Sequence, residues 1–195
     1  MMVAVTRRLK RLAPQLIALF VILAAITIVS PGFLHVSFQN GRLYGSLMDI
    51  LVRAAPVALL TIGMTLVIAT KGIDLSIGAV IAICGAVAAT LISNGHSIPT
   101  VIAISLAVGI ACGLWNGVLV ALLDIQPIIA TLILMTAGRG IAMLITEGNI
   151  LTVESAPFKF LGSGFLLGVP VATVFGAVIL TVVALLTRRT ALGLL

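Results

Sequence analysis

An all-α, polytopic membrane helix bundle is the fold class this sequence predicts, and three observations predict it. Of its residues 62% are hydrophobic and only 8% are charged, with a mean hydropathy of +1.36, which is more apolar surface than a soluble core of this length can hide from water. Long runs of Ala, Leu, Ile and Val fill the chain, and a hydrocarbon core about 30 Å thick takes roughly 20 such residues to cross as a helix. The strand-sized alternation of polar and apolar residues that marks a membrane barrel is absent, so the expectation is helices throughout, each satisfying its own backbone polar groups.

Charged residues punctuate the chain, and the intervals between them predict about six transmembrane helices. Residues 1–12 form a basic N-terminus with Arg7, Arg8, Lys10 and Arg11. The first span is expected from about Ala13 to Ser30, where Pro31-Gly32 breaks it. Its basic start resembles a signal peptide, but the apolar part is too long and no small-residue cleavage site follows, so it reads as a retained helix. A polar loop with His35, Asn40, Arg42 and Tyr44 leads to the second span, from about Leu51 to Thr70. Between Asp74 and Asp124 no charge occurs. That interval is too long for one helix, and Ser93-Asn94-Gly95-His96-Ser97 with Pro99 divides it into a third span, about Ser76 to Ile92, and a fourth, about Pro99 to Leu123. The fifth is expected from Pro127 to Ile145. The sixth runs from about Val169 to Thr187, after a loop carrying Glu147, Asn149, Glu154 and Lys159.

An even number of crossings puts both termini on one side. Arg7, Arg8, Lys10 and Arg11, then Lys71, then Arg188 and Arg189 all fall on that side, whereas Arg42 and Lys159 fall on the other, with Arg53 near its border. The positive-inside rule therefore predicts a cytoplasmic N-terminus. The net charge of +6 is accounted for by topology, with membrane lipid rather than nucleic acid as its partner. Cys84 and Cys112 both lie inside predicted spans and read as small packing residues.

Polar chemistry interrupts the apolar background at a few places. In Thr70-Lys71-Gly72-Ile73-Asp74-Leu75-Ser76-Ile77-Gly78, an Asp or Ser before an apolar run is the usual helix N-cap. The alternative is that Gly72 and Gly78 let a non-helical segment pack tightly against a pathway or a partner while Asp74 supplies charge or hydrogen bonds. In the fourth span Gly109, Gly113 and Gly117 recur every four residues, a stripe suited to close helix contact. Asn116 beside them needs a partner in hydrocarbon, either a neighbouring helix or a polar cargo, and Trp115 either stacks on a sugar ring or fills space. Asp124-Ile125-Gln126-Pro127 reads as a cytoplasmic turn that starts the next helix. The fifth span carries Thr131, Thr136 and Gly138-Arg139-Gly140. Burying Arg139 costs about 2.5 to 3.5 kcal/mol unless it reaches the outer interface, pairs with an acid or lines a hydrated cavity.

Catalytic signatures are missing. No glycine-rich phosphate loop and no His or Cys array at metal spacing occurs, and the two histidines, His35 and His96, fall in predicted loops. The pattern speaks against an enzyme, a metal site and a bound cofactor.

The runs Ala55–Thr70, Gly72–Gly78, Trp115-Asn116-Gly117 and Thr131–Met135 through Gly138-Arg139-Gly140 resemble the permease subunits of bacterial ribose- and galactofuranose-type sugar ABC importers, from about Leu43 to the last residue. The resemblance implies a multi-pass protein of the bacterial inner membrane. It implies a second permease subunit, the same or different, completing the pathway, a periplasmic sugar-binding protein that delivers the cargo, and a separate cytoplasmic ABC ATPase, so that this chain binds no ATP. The expected pathway and motif residues are Gly72, Asp74, Ser76, Gly78, Asn116, Thr131 and Arg139. Lys71 departs from the family, which usually carries a second glycine there, and offers an ion pair to Asp74. Relatives of this kind also continue well past residue 195. Residues 13–187 are thus expected to be an incomplete permease domain, C-terminally truncated, and residues 188–195 the start of the ATPase-docking segment. Two other classes are a non-transporting membrane scaffold and an ion-coupled secondary transporter. The latter calls for a mid-span acid, which the predicted spans lack.

Overall fold

The computed structural model describes residues 2–39, 42–166 and 168–189; Asn40 of the expected polar loop and residues 190–195 of the expected docking segment lie outside them. The element order is α1 (Met2–Val29), β1 (Ser37–Gln39), β2 (Arg42–Tyr44), α2 (Ser46–Ala69), α3 (Ile77–Ser93), α4 (Ile98–Ala121), α5 (Pro127–Ile145), α6 (Ala156–Ser163), β3 (Phe165–Leu166), β4 (Val169–Pro170) and α7 (Val171–Arg189). All six expected spans are helical, and apart from the start of the first their edges fall within about five residues of those expected. Four of them, α2, α4, α5 and α7, are long and apolar enough to cross a bilayer. The apolar part of α1, Ala13–Val29, and α3 are shorter.

Three features depart from the expectation. Helix α1 starts at Met2, so the first span continues a longer helix that includes most of the basic segment. The loop after it pairs β1 with β2 in an antiparallel ladder, Ser37 opposite Tyr44, and the loop after α5 holds the short helix α6 and a β3–β4 hairpin with Phe165 opposite Pro170. The all-α class holds, and the expected loops at these two connections carry short local pairing that satisfies backbone groups no transmembrane helix covers.

The helices associate in two groups. Helix α3 packs on both α4 and α5, and α4 touches α5; α2 packs on α7, with α6 and β4 against α7. Small residues set the first group: Ala79, Ala86 and Ala88 of α3 and Ala130 and Gly138 of α5 are buried. A Cβ built on Gly138 would lie 2.9 Å from Ala79 Cβ and 3.2 Å from Ile83 Cδ1, so the α3 and α5 backbones approach as closely as only a glycine allows. The predicted glycine stripe of α4 does not play this part within the described residues. A Cβ at Gly109 would meet Cys84 Sγ at an ordinary 3.5 Å, and Gly113 and Gly117 face open space. Polar ties between helices among the described residues include Thr90 Oγ1 donating to the Ile145 carbonyl at 3.5 Å, Thr173 Oγ1 to the Leu51 carbonyl at 3.4 Å and Cys84 Sγ to the Ser105 carbonyl at 3.5 Å. Elsewhere large apolar side chains face outward, Phe20 at 72% exposure and Leu114 at 65% among them, which suits lipid rather than water as the surrounding medium.

Candidate functional site

The polar centre of the molecule is built from the end of α2 forward. Helix α2 closes in a Schellman turn, with Lys71 N–H bonded to the Ile68 carbonyl and Gly72 N–H to the Val67 carbonyl, an arrangement that requires a left-handed residue between them. Lys71 fills that place at φ 59°, where a glycine would sit without steric cost. The chain then runs without regular structure to α3.

Asp74 organises this segment. Its Oδ1 accepts from the Ser76 backbone N–H at 2.8 Å and from the Ser76 hydroxyl at 2.7 Å. Ser76 occupies the N-cap position of α3 but makes no side-chain cap bond. The capping expectation is thus corrected: Asp74 closes a turn onto Ser76, and neither side chain binds the first turn of the helix. Nor does the expected ion pair form, since among the described residues Lys71 has no acidic partner.

Ser76 is fully buried, at 0% exposure, and its hydroxyl oxygen accepts from Asn116 Nδ2 at 2.9 Å. A relay Asn116 to Ser76 to Asp74 therefore joins α4 to the α2–α3 connection across 40 residues of sequence. Of the two partners expected for Asn116, a neighbouring helix and a cargo, the structure supplies the first. It supplies only half of what the amide needs, because Asn116 Oδ1 is sealed from solvent and accepts no hydrogen bond among the described residues. An unmatched buried acceptor of this kind costs about 1 to 3 kcal/mol.

Beside the relay lies a cavity of about 320 Å³, between α2, α3 and α4. Asp74, Ser76 and Asn116 line one side, and Leu60, Gly63, Met64 and Val67 of α2 face them. It falls on the seam between the α2–α7 and α3–α4–α5 groups, near the end of the bundle that carries Lys71.

The remaining predicted residues lie elsewhere. Gly72 is tight, with a Cβ there 3.2 Å from the Val67 carbonyl oxygen, whereas Gly78 sits in the first turn of α3 facing open space. Thr131 is buried at 4% exposure and its hydroxyl donates to the Pro127 carbonyl of its own helix at 2.8 Å. Arg139 is exposed on α5, next to the Gly138 contact, and has no partner among the described residues. Trp115 is exposed at 54%. The structure thus brings Asp74, Ser76 and Asn116 together and leaves Thr131 and Arg139 apart from them. The α2 wall was not anticipated, because Leu60, Met64 and Val67 are indistinguishable by chemistry from other lipid-compatible residues.

Residues 46–195 match the family described as branched-chain amino acid transport system / permease component. The chain is 56% identical over 181 residues to the galactofuranose transporter permease protein of Escherichia coli (strain K12), covering 93% of this chain and 53% of that protein. It is 41% identical over 187 residues to the fructose import permease protein of Bifidobacterium longum (strain NCC 2705), covering 93% and 52%. To the ribose import permease protein of Haemophilus influenzae it is 34% identical over 181 residues, covering 91% and 54%. The chain spans about half the length of these curated relatives. No solved structure matches it.

Proposed function

The chain belongs to the family of branched-chain amino acid transport system permease components, an integral inner-membrane protein by that membership, and from this premise we propose that it is a membrane-spanning permease subunit of an ATP-driven sugar importer. The observation that carries the reading is its 56% identity to a permease named for galactofuranose transport. Two further relatives, named for fructose and ribose import, agree on a monosaccharide as the class of cargo. The charge pattern supports the same reading, with Lys71 and Arg188 at the bundle end where a cytoplasmic ATPase would dock. A periplasmic sugar-binding protein and a second permease subunit complete the proposed assembly, and the ATPase subunit supplies the hydrolysis.

The two other classes are weighed by the carboxylates. The five acidic residues of the chain, Asp49, Asp74, Asp124, Glu147 and Glu154, all sit in the first turn of a helix or in connections. An ion-coupled carrier titrates or binds its ion at a mid-membrane acid, and none is placed for that role here. Expression of the gene carrying this chain with cognate ATPase and binding-protein genes in an importer-deficient host tests the reading. Uptake of labelled monosaccharide that disappears when the ATPase is inactivated is the expected result. Uptake that survives ATPase inactivation and stops with a protonophore would assign the chain to the ion-coupled class, and no uptake in any combination would leave the scaffold reading.

A further inference from the structure

We propose that the seam cavity beside the relay is a binding station for a neutral, hydroxyl-rich ligand of monosaccharide size, recognised chiefly by acceptor oxygens: Asn116 Oδ1 and the second carboxylate oxygen of Asp74. The proposal rests on the permease reading and adds the site and the chemistry it selects. Three observations carry it. The first is the unmatched Asn116 Oδ1, on a residue that lines the cavity. Oδ1 is covered in the empty structure, and a hydroxyl arriving in the cavity supplies the missing donor once the terminal amide turns about its broad torsion to uncover it. The second is the state of the neighbouring groups. The Ser76 N–H and hydroxyl are both engaged by Asp74 Oδ1, and the Asn116 nitrogen is engaged by Ser76, while Asp74 Oδ2 takes no hydrogen bond among the described residues. Among the described residues no Lys, Arg, His, Thr or Tyr lines the cavity, so acceptors dominate and Asp74 has no cationic partner there. An anionic sugar meets repulsion there, and a neutral polyol meets the partners its hydroxyls need.

The third is size and lining. At about 320 Å³ the cavity sits at the lower end of the roughly 300 to 1,000 Å³ typical of small-molecule sites, which suits one monosaccharide. Its opposite wall of Leu60, Met64 and Val67 offers the apolar face of a sugar ring a dry surface. The ordering cost of the empty state, an unmatched acceptor, is removed when the ligand is present.

Trp115 is the only tryptophan of the chain and adjoins Asn116, so its emission reports occupancy without transport. The intact protein in lipid nanodiscs is titrated with D-galactose, D-fructose and D-ribose, with D-galacturonate, and with sodium chloride. The expected result is a saturable change with neutral sugars in the millimolar range, at least about tenfold weaker with D-galacturonate, and absent in Asn116→Leu. Gly113→Leu, which fills the cavity from a position with open space around it and leaves the relay intact, is expected to abolish the change as well. Equal binding of D-galacturonate, an undiminished response in both variants, or a saturable response to sodium alone would overturn the proposal. No sugar response from a protein that supports ATPase-dependent uptake would overturn the station and leave the permease reading standing, whereas loss of both would remove that reading too.

Discussion

Gly138→Ala adds one methyl group at the place where α3 and α5 come closest, and its effect separates packing from helix propensity. Alanine inside a helix is favoured over glycine by about 1 kcal/mol. Against this, the new Cβ would stand 2.9 Å from Ala79 Cβ, which has no torsion to yield, and 3.2 Å from Ile83 Cδ1, which can rotate away. Overpacking of this kind costs about 1 to 3 kcal/mol, so the net expectation is a loss of about 1 kcal/mol. Gly140, two residues on in the same helix, has nothing within 4 Å of its virtual Cβ, and Gly140→Ala should gain up to about 1 kcal/mol. The gap between the two variants, about 2 kcal/mol, corresponds to roughly 4 to 8 °C in the unfolding midpoint of a chain this size. Thermal unfolding of the purified protein in one detergent measures it, and Ala79→Gly added to Gly138→Ala should restore most of the loss. Equal midpoints for the two alanine variants, or no rescue by Ala79→Gly, would refute the α3–α5 contact as drawn.

Lys71→Gly should raise stability by about 1 kcal/mol, since it relieves a left-handed position occupied by a side chain; an unchanged or lower midpoint in the same thermal assay counts against the Schellman turn. Asp74→Ala removes both bonds to Ser76 and is expected to cost about 2 to 4 kcal/mol, whereas Asp74→Asn retains the Oδ1 acceptor and should cost about half as much or less. Similar losses for the two would show that the Asp74 turn does not hold Ser76. For topology, reporters inserted after Lys71 and after Asp124 should register as cytoplasmic, and one after Gly95 as periplasmic; the reverse pattern would invert the positive-inside assignment.

Much of the architecture was legible in the sequence because each membrane helix is nearly self-sufficient. Its apolar length and its punctuation, at Pro31-Gly32, Ser93–Ser97 and Pro127, are local properties, and hydrocarbon enforces helical hydrogen bonding segment by segment. The hairpins and α6 escaped that logic, since they lie outside the apolar runs and form by weak local pairing. The polar residues Asp74, Ser76 and Asn116 were conspicuous one by one for the same reason: hydrocarbon makes every polar side chain a question. Their union into one relay, across 40 residues, was decided only by how α4 docks against the start of α3. So was the choice of Gly138 over Gly109, Gly113 and Gly117 as the point of close approach. A lipid-facing side and a helix-facing side are both apolar, so no periodic pattern records which face of a membrane helix meets its neighbour. Complementarity of small residues between partners settles that, and it exists only once the helices are packed.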